Sequence, residues 1–105
     1  MDIASRKLMA LQERASERDF FDLYFILQKI DFKELLKITE KNFKYFDKFR
    51  LLEKMFRIKK LPDDIKDWRI EIVKETSAIQ IKDKFYELME KLREEIEDEN
   101  KRFRL

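Results

Sequence analysis

The chain has no glycine and only one proline among its 105 residues. Glycine adopts positive φ at the least cost, so a chain without it has few sharp backbone reversals. Leu, Lys, Glu, Arg and Met, which favour helices, are abundant. A hydrophobic content of 44% is typical of a folded chain, although 46% of the residues are charged. We therefore predict one all-α domain, an irregular bundle of about five helices.

Hydrophobic spacing predicts the first two helices. Asp2 or Ser5 is expected to cap the first helix, and the interruption at residues 16–18 offers a cap for the second. Residues 19–30 are apolar on nearly all sides, so the second helix is expected to be central and buried. The first helix is predicted from an i, i+4, i+7 stripe of Ala4, Leu8, Leu11 and Ala15.

The remaining helices follow from caps and stripes. Asp31 opens a third helix with the spacing of a capping box to Glu34, and Asp47 is expected to cap a fourth. The fourth helix has two neighbouring stripes, one of Phe49, Leu52 and Phe56 and the other of Leu51, Met55 and Ile58. The last helix is predicted from apolar residues three, four or seven apart: Ile81, Phe85, Leu88, Leu92, Ile96 and Phe103.

These elements predict how the single domain, residues 1–105, is organised. Residues 1–60 form a four-helix portion, residues 61–78 an irregular connection, and residues 79–101 a long C-terminal helix. Pro62 is expected to end the fourth helical region or to begin a new segment within the connection. Polar and apolar residues alternate near residues 68–73, which predicts one short extended segment without a strand to pair with.

Composition also excludes several kinds of chemistry and location. Cysteine and histidine are absent, so thiolate metal sites and an imidazole base are excluded, and any chemistry would use carboxylates, Lys or Arg. No apolar stretch approaches the roughly 20 residues that span a bilayer, and residues 1–7 lack the apolar core of a signal peptide. We therefore expect a cytoplasmic chain without a membrane partner.

Charge is distributed unevenly and leaves two interpretations open. Residues 41–60 contain eight Lys or Arg against two acids, and residues 83–99 contain eight acids against three Lys or Arg. In one interpretation the two segments pack side by side with complementary charged rims, or are simply solvated helix faces. In the other, the basic segment contacts a polyanion such as RNA. The basic segment also contains aromatic residues on which RNA bases could stack: Phe43, Tyr45, Phe46, Phe49 and Phe56. Most of these aromatics, however, fall on predicted core stripes, and the net charge of the chain is only +2.

The candidate site lies in the first two helices. Asp22 is flanked by aromatic and aliphatic residues, and a carboxylate in such a setting needs a partner. Asp19 lies one turn before it, and Lys7 and Arg14 share a face of the first helix, so that both could lean over one spot. In one interpretation Asp19 caps the second helix, and Asp22 forms an ordinary salt bridge with Lys7, Arg14 or Arg18. In the other, the cations bind phosphates, and the acids orient the cations or a metal ion.

Residues 2–27 follow the pattern D-I-A-x-x-K-L-x-A-L-x-x-R-x-x-x-R-D-F-x-D-L-Y-F-I-L. This pattern resembles the central helical motif of the AbiEii/AbiGii nucleotidyltransferase toxin family, and residues 33–43 are similar to the family's next helix. The resemblance implies that Lys7, Arg14 and Arg18 contact nucleotide phosphates and that Asp19 and Asp22 belong to the active site. Glu17 departs from a basic residue often found in the family.

Members of that family carry a nucleotidyltransferase half before the motif, with a glycine-containing loop and paired Asp residues that hold Mg²⁺. Because this chain has no glycine, the resemblance implies that the chain carries only half of the site and has no cofactor of its own. A separately encoded half would complete it and supply the site for magnesium and a nucleoside triphosphate. If that half covers Phe20, Phe21 and Tyr24, the chain alone exposes an apolar patch and self-associates as a dimer. The alternative function is a non-catalytic helical module that contacts RNA or a protein partner.

Overall fold

The computed structural model describes residues 2–72 and 74–103, and the side chains of Asp2 and Phe103 lie outside its description. Within these ranges the secondary structure is entirely helical, which confirms the predicted all-α fold. None of the described helices combines the length and the apolar character needed to cross a membrane. The helices are α1 (Asp2–Glu13), α2 (Glu17–Ile26), α3 (Phe32–Asn42), α4 (Lys48–Met55) and α5 (Ala78–Phe103), with two 3₁₀ helices at Phe56–Lys60 and Ile65–Asp67.

Most helices begin at the residues predicted to cap them. The Ser16 hydroxyl accepts a hydrogen bond from the Asp19 backbone, and the Asp19 carboxylate accepts one from the Ser16 backbone, which completes a capping box. Asp31 accepts from the Glu34 backbone, one half of the predicted box, and Asp47 caps α4. For α1 the prediction of Ser5 as a cap is wrong, because the helix already begins at Asp2, whose side chain lies outside the described residues.

Helix ends differ from the predictions by a few residues. The second helix ends at Ile26 rather than Ile30, because residues 27–30 form a turn. The long C-terminal helix begins at Ala78, one residue before the predicted start. Residues 68–72 are irregular, as expected for the extended segment, and Val73 lies outside the described residues. The connection is fixed by Trp68, which is buried and donates from Nε1 to the Pro62 carbonyl at 2.8 Å.

The hydrophobic core is formed by all five α-helices, and α3 contributes Phe32, Leu35 and Leu36 to it. The first helix packs against α2, α3 and α4, while α2 packs against α1 and α5. The prediction of a central α2 is therefore only partly right, since Phe20 and Phe21 are buried but Tyr24 is only half-buried. Phe20 meets Phe85 of α5 edge to face at 4.9 Å between ring centroids, and this contact joins the two helices.

The two stripes of α4 have different fates. Leu51, Met55 and Ile58 are fully buried against the core. Phe49 and Phe56 of the neighbouring stripe are exposed, with 59% and 38% of their surface accessible. A helix on the outside of a small bundle buries only one face, so one of two adjacent stripes must remain at the surface.

Candidate functional site

The junction between α1 and α2 places the candidate residues. The first helix ends at Glu13, and Ala15 adopts the left-handed conformation with φ of 48°. A residue in this conformation turns the chain sharply after a helix, a place that glycine usually takes. The Ser16 cap then starts α2 only two residues after Arg14. This short corner brings the end of α1 against the first turn of α2.

Arg14 and Asp19 form a forked ion pair across this corner. Arg14 Nε donates to Asp19 Oδ2 at 2.9 Å, and Nη2 donates to Oδ1 at 2.9 Å. The Ser16 backbone N–H and hydroxyl both donate to Oδ2, at 2.9 and 2.8 Å. Asp19 has no exposed surface, whereas 62% of the Arg14 side chain is accessible. The carboxylate is therefore saturated by donors and fixed in place.

The protonation of Asp19 follows from these contacts. Burial by itself raises the pKa of the Asp19 carboxyl, because it penalises the charged form. The hydrogen bonds from Arg14 and Ser16, together with the charge of Arg14, outweigh burial and hold the pKa below its ordinary value of 3.8. The same pairing raises the pKa of Arg14. Asp19 is thus ionised at neutral pH and is poorly suited to donate a proton.

Lys7, Arg18 and Asp22 form a second cluster, one helical turn further along α2. Lys7 Nζ donates to Asp22 Oδ2 at 2.7 Å, and Arg18 Nε donates to Asp22 Oδ1 at 3.1 Å. Asp22 is 17% exposed, Lys7 33% and Arg18 47%. Two cations from two helices therefore share one half-buried carboxylate, and we call these three residues the Asp22 cluster.

The structure brings all five predicted site residues to one region, but not around one spot. Lys7 and Arg14 hold different carboxylates, Asp22 and Asp19, instead of leaning over a common point. Asp19 also caps α2, and Asp22 bridges the helices, so the simpler structural interpretation describes the contacts of both acids. What this region offers to a ligand is the positive charge of Lys7 and Arg18, together with the exposed side of Arg14.

The acids do not fit a metal site. Within residues 2–72 and 74–103 no group of three or more acidic side chains is placed to hold a metal ion. Asp19 is enclosed by Arg14 and Ser16, and Asp22 is held by two cations that would repel a divalent ion. A magnesium ion would therefore have to be bound by other residues.

Three cations of the basic segment 41–60 lie together at the C-terminal end of α1, a grouping that was not predicted from the sequence. Arg50 pairs with the Glu13 carboxylate at 3.1 Å, Lys54 donates to the Glu13 carbonyl, and Arg57 donates to the Arg14 carbonyl at 2.8 Å. Cations beside the last carbonyls of a helix are favourable because those groups carry partial negative charge. Their spacing of i, i+4, i+7, through α4 and into the 3₁₀ helix that follows it, was the signal that could have grouped them.

Gln12 is another residue that sequence reasoning missed. It has no exposed surface, accepts from the Asp47 backbone N–H at 2.9 Å and donates to the Tyr45 carbonyl at 3.2 Å. The amide therefore holds the loop between α3 and α4 against α1, which fixes where α4 begins. A single polar residue on the edge of the apolar stripe of α1 gave no sign of this role.

The uneven charge is explained only in part by complementary packing. Lys48 of α4 bonds to Glu99 of α5 and to Glu40 of α3, at 2.9 Å in the second case. Burial lowers the pKa of Lys48, but these two carboxylates outweigh it and raise the pKa above its ordinary value of 10.5. Among the ion pairs of the described residues, Lys48–Glu99 alone joins the basic segment 41–60 to the acidic segment 83–99.

Two of the three rings in the expected apolar patch on α2 are buried within the chain, and the third, Tyr24, is half-buried. Phe20 and Phe21 have 0% and 1% of their surface exposed within this chain. The predicted exposure of these rings is therefore wrong, because α5 covers Phe20 and the helices bury their own faces. Self-association stays a prediction without this support.

Comparison with known proteins gives little further guidance. No protein-family profile matches the chain, and no solved structure matches it. The chain is 42% identical over 48 residues to an uncharacterised protein of Aquifex aeolicus (strain VF5). This match covers 44% of the chain, and the chain spans only 23% of that relative's length. The resemblance to AbiEii-type nucleotidyltransferases therefore stays a prediction.

Proposed function

We propose that the chain is the helical half of a cytoplasmic AbiEii-like nucleotidyltransferase and supplies phosphate contacts to a nucleotide site that a separate catalytic half completes. The observation that carries this proposal is the Asp22 cluster, in which Lys7 and Arg18 converge from two helices on one carboxylate. One carboxylate against two cations leaves a net charge of +1 at a partly exposed position. Phosphate groups are suitable ligands for such a pair.

The carboxylate has a positioning role in this proposal. Asp22 holds the heads of two long side chains together, which lowers the entropy that a phosphate must overcome to order them. Lys7 Nζ has three N–H donors and uses one of them on Asp22, at 2.7 Å. The remaining donors are the groups that would bind phosphate oxygens.

Arg14 would extend the phosphate contacts along α2. Its Nε and Nη2 donate to Asp19, and no partner for Nη1 is found among the described residues. Asp19 thus holds the guanidinium by one edge while 62% of the side chain faces solvent. In this arrangement Asp19 orients Arg14, and Asp22 orients Lys7 and Arg18.

The catalytic half would bring the magnesium ion and most of the nucleotide contacts. When bound, the metal would supply charge neutralisation on the phosphates. The role of this chain would be to hold phosphate oxygens by Lys7, Arg14 and Arg18. We therefore expect only weak binding of a nucleoside triphosphate by this chain alone, with Kd near the millimolar range, about −4 kcal/mol.

The proposal is tested by titrating tripolyphosphate and Mg-ATP into the isotopically labelled chain at low salt and following amide chemical shifts by NMR. We expect shifts centred on α1 and α2, reduced in Lys7→Ala and Arg18→Ala. Lys33→Ala is the matched control, because Lys33 forms an exposed bridge to Glu95 on another side of the molecule. Circular dichroism of each variant checks that the fold is intact.

A charge-raising variant sharpens the test. Asp22→Asn keeps one side-chain oxygen that can accept from Lys7 or Arg18, and it raises the net charge of the cluster from +1 to +2, so polyphosphate should bind severalfold more tightly to it than to the wild type. A merely structural bridge predicts no such gain. Tight Mg-ATP binding that survives Lys7→Ala, or shifts that map away from α1 and α2, would count against the proposal.

A further inference from the structure

The outer face of α4 and the 3₁₀ helix that follows it presents aromatic rings to solvent. Phe49 and Phe56 are 59% and 38% exposed, and Tyr45 just before the helix is 79% exposed. The expectation that most aromatics of this segment lie in the core is therefore wrong. Residues seven apart fall on one side of a helix, about 10 Å apart along its axis. Phe49 and Phe56 thus form one exposed row, and we call the three rings the aromatic row.

A line of cations runs beside the aromatic row. Arg50, Lys54 and Arg57 follow one another at i, i+4 and i+7, so they lie along the helix on one flank of the rings. Lys54 and Arg57 bond to backbone carbonyls, which carry no formal charge, so their positive charges are not neutralised by these contacts. Two more cations lie over the rings themselves, Lys44 at 5.9 Å from Tyr45 and Lys59 at 4.9 Å from Phe56.

Packing within the chain explains part of this arrangement. The end of α1 stabilises Arg50, Lys54 and Arg57 where they lie, and Lys48 is neutralised by Glu40 and Glu99. None of these contacts requires large aromatic side chains on the solvent side of α4. Three exposed rings within 12 residues, next to uncompensated cations, are better explained by a ligand with flat apolar groups and repeated negative charge.

A shallow groove adjoins the row. It has a volume of about 550 Å³ and lies between the α3–α4 loop and α5, with Tyr45, Phe46 and Phe49 on one side and Ile96 on the other. Its polar lining includes Asp47, and Lys48 with its partners Glu40 and Glu99. A single planar base is small enough to enter a groove of this size. The groove therefore provides a place beside the rings where one base can be held.

We propose that this face binds single-stranded nucleic acid, with bases stacked on the aromatic row and phosphates contacted by Arg50, Lys54 and Arg57. Base stacking on aromatic side chains beside a positively charged track is the general chemistry of single-strand binding. A duplex hides the faces of its bases, so it cannot use the rings. This inference does not rest on the nucleotide site proposed above.

A membrane surface is the main competing ligand for a basic and aromatic helix face. Interfacial helices bury a broad apolar face in the lipid. In α4 the aliphatic residues Leu51 and Met55 are fully buried in the protein core, and Glu53 lies between the exposed rings. The exposed face therefore lacks the aliphatic surface that lipid would bury, and single-stranded nucleic acid is favoured.

The test measures fluorescence anisotropy of labelled oligouridylate and oligodeoxythymidylate, each about 12 nucleotides long, with the intact chain at about 50 mM salt. We expect both single strands to bind. With three phosphate contacts, the slope of log affinity against log salt should be about −2. A blunt duplex and anionic phospholipid vesicles serve as competing ligands.

The variants separate stacking from simple charge attraction. Tyr45→Ala and Phe49→Ala should each weaken binding about tenfold. Arg57→Gln should weaken it and make the salt slope shallower by about 0.7. Ile79→Ala and Lys66→Gln are matched controls, because both residues are exposed and neither lines the groove, and they should bind like the wild type.

Three results would overturn the proposal. They are no binding of either single strand at low salt, binding that Tyr45→Ala and Phe49→Ala leave unchanged, and stronger binding of the duplex or the vesicles. Tyr45 is the most exposed of the three rings, so Tyr45→Ala carries the test even if Phe49→Ala disturbs folding.

Discussion

The corner between α1 and α2 should depend on the single carboxylate of Asp19. In Asp19→Asn the neutral amide has about the same shape, but it loses the charge that accepts from Arg14 and from Ser16 at 2.8–2.9 Å. An N-terminal capping interaction contributes about 1 kcal/mol, and hydrogen bonds to a charged group about 1.5–3 kcal/mol. Because Asp19 is fully buried, water cannot replace these contacts.

We therefore expect Asp19→Asn to lower the free energy of unfolding by about 3 kcal/mol. Breaking a buried ion pair costs about 3–5 kcal/mol, and the lower end applies here because only Asp19 of this pair is buried, whereas Arg14 is hydrated. In a domain of this size the loss lowers Tm by roughly 10–20 °C. Urea unfolding at pH 7, followed by circular dichroism at 222 nm, measures it.

Asp22→Asn is the matched control, since the same chemical change is made one turn away. Lys7 and Arg18 are partly exposed there, so the loss should stay within about 1 kcal/mol. The reasoning is refuted if Asp19→Asn lies within about 0.5 kcal/mol of the wild type, or if the two variants are equally destabilised.

The pH dependence of the unfolding free energy tests the same prediction independently. The pKa of Asp19 is lowered in the folded chain, so its contribution to stability is present above the unfolded pKa of 3.8 and is lost as pH falls through the folded pKa. The difference in unfolding free energy between wild type and Asp19→Asn should therefore be constant from about pH 7 to 5 and shrink below about pH 4. A difference that grows in acid would contradict the assignment.

Substitutions at three further positions probe other parts of the fold. Ala15→Val should cost about 2 kcal/mol, because a β-branched side chain disfavours φ of 48° in a buried position, while Ala15→Gly should be at least as stable as the wild type in urea unfolding. Trp68→Phe should cost about 1–2 kcal/mol by loss of the 2.8 Å bond to the Pro62 carbonyl, and an unchanged urea midpoint would contradict it. The pKa of Lys48 is raised by two carboxylates. The difference in unfolding free energy between the wild type and Lys48→Met should therefore persist up to about pH 10 and narrow only above the ordinary lysine pKa of 10.5. Thermal unfolding across alkaline pH measures this difference.

The starts of the helices could be predicted from the sequence because capping is a local interaction. Ser16, Asp31 and Asp47 cap their helices through hydrogen bonds to backbone groups two or three residues away. Such bonds depend only on neighbouring residues, so their spacing in the sequence is sufficient to locate them. Asp19 and Asp22 could be recognised as carboxylates in need of partners for a similar reason, since an unpaired charge among aromatics is costly.

Partner choice could not be predicted in the same way. Lys7, Arg14 and Arg18 were all candidates for Asp22, and only the sharp corner at Ala15 places Arg14 against Asp19 instead. Spacing along a helix defines a direction around its axis, but it does not specify the position of the next helix.

The sequence by itself determined an all-α chain, the capped starts of its helices and the residues from which a polar site could be built, because backbone propensity and capping act over a few neighbouring residues. Only the tertiary structure decided which stripe of α4 enters the core. Leu51 and Met55 are buried because α1 and α5 cover that side of the helix, and Phe49 is therefore left in solvent. Burial depends on what packs against a face, and residues distant in the chain supply it.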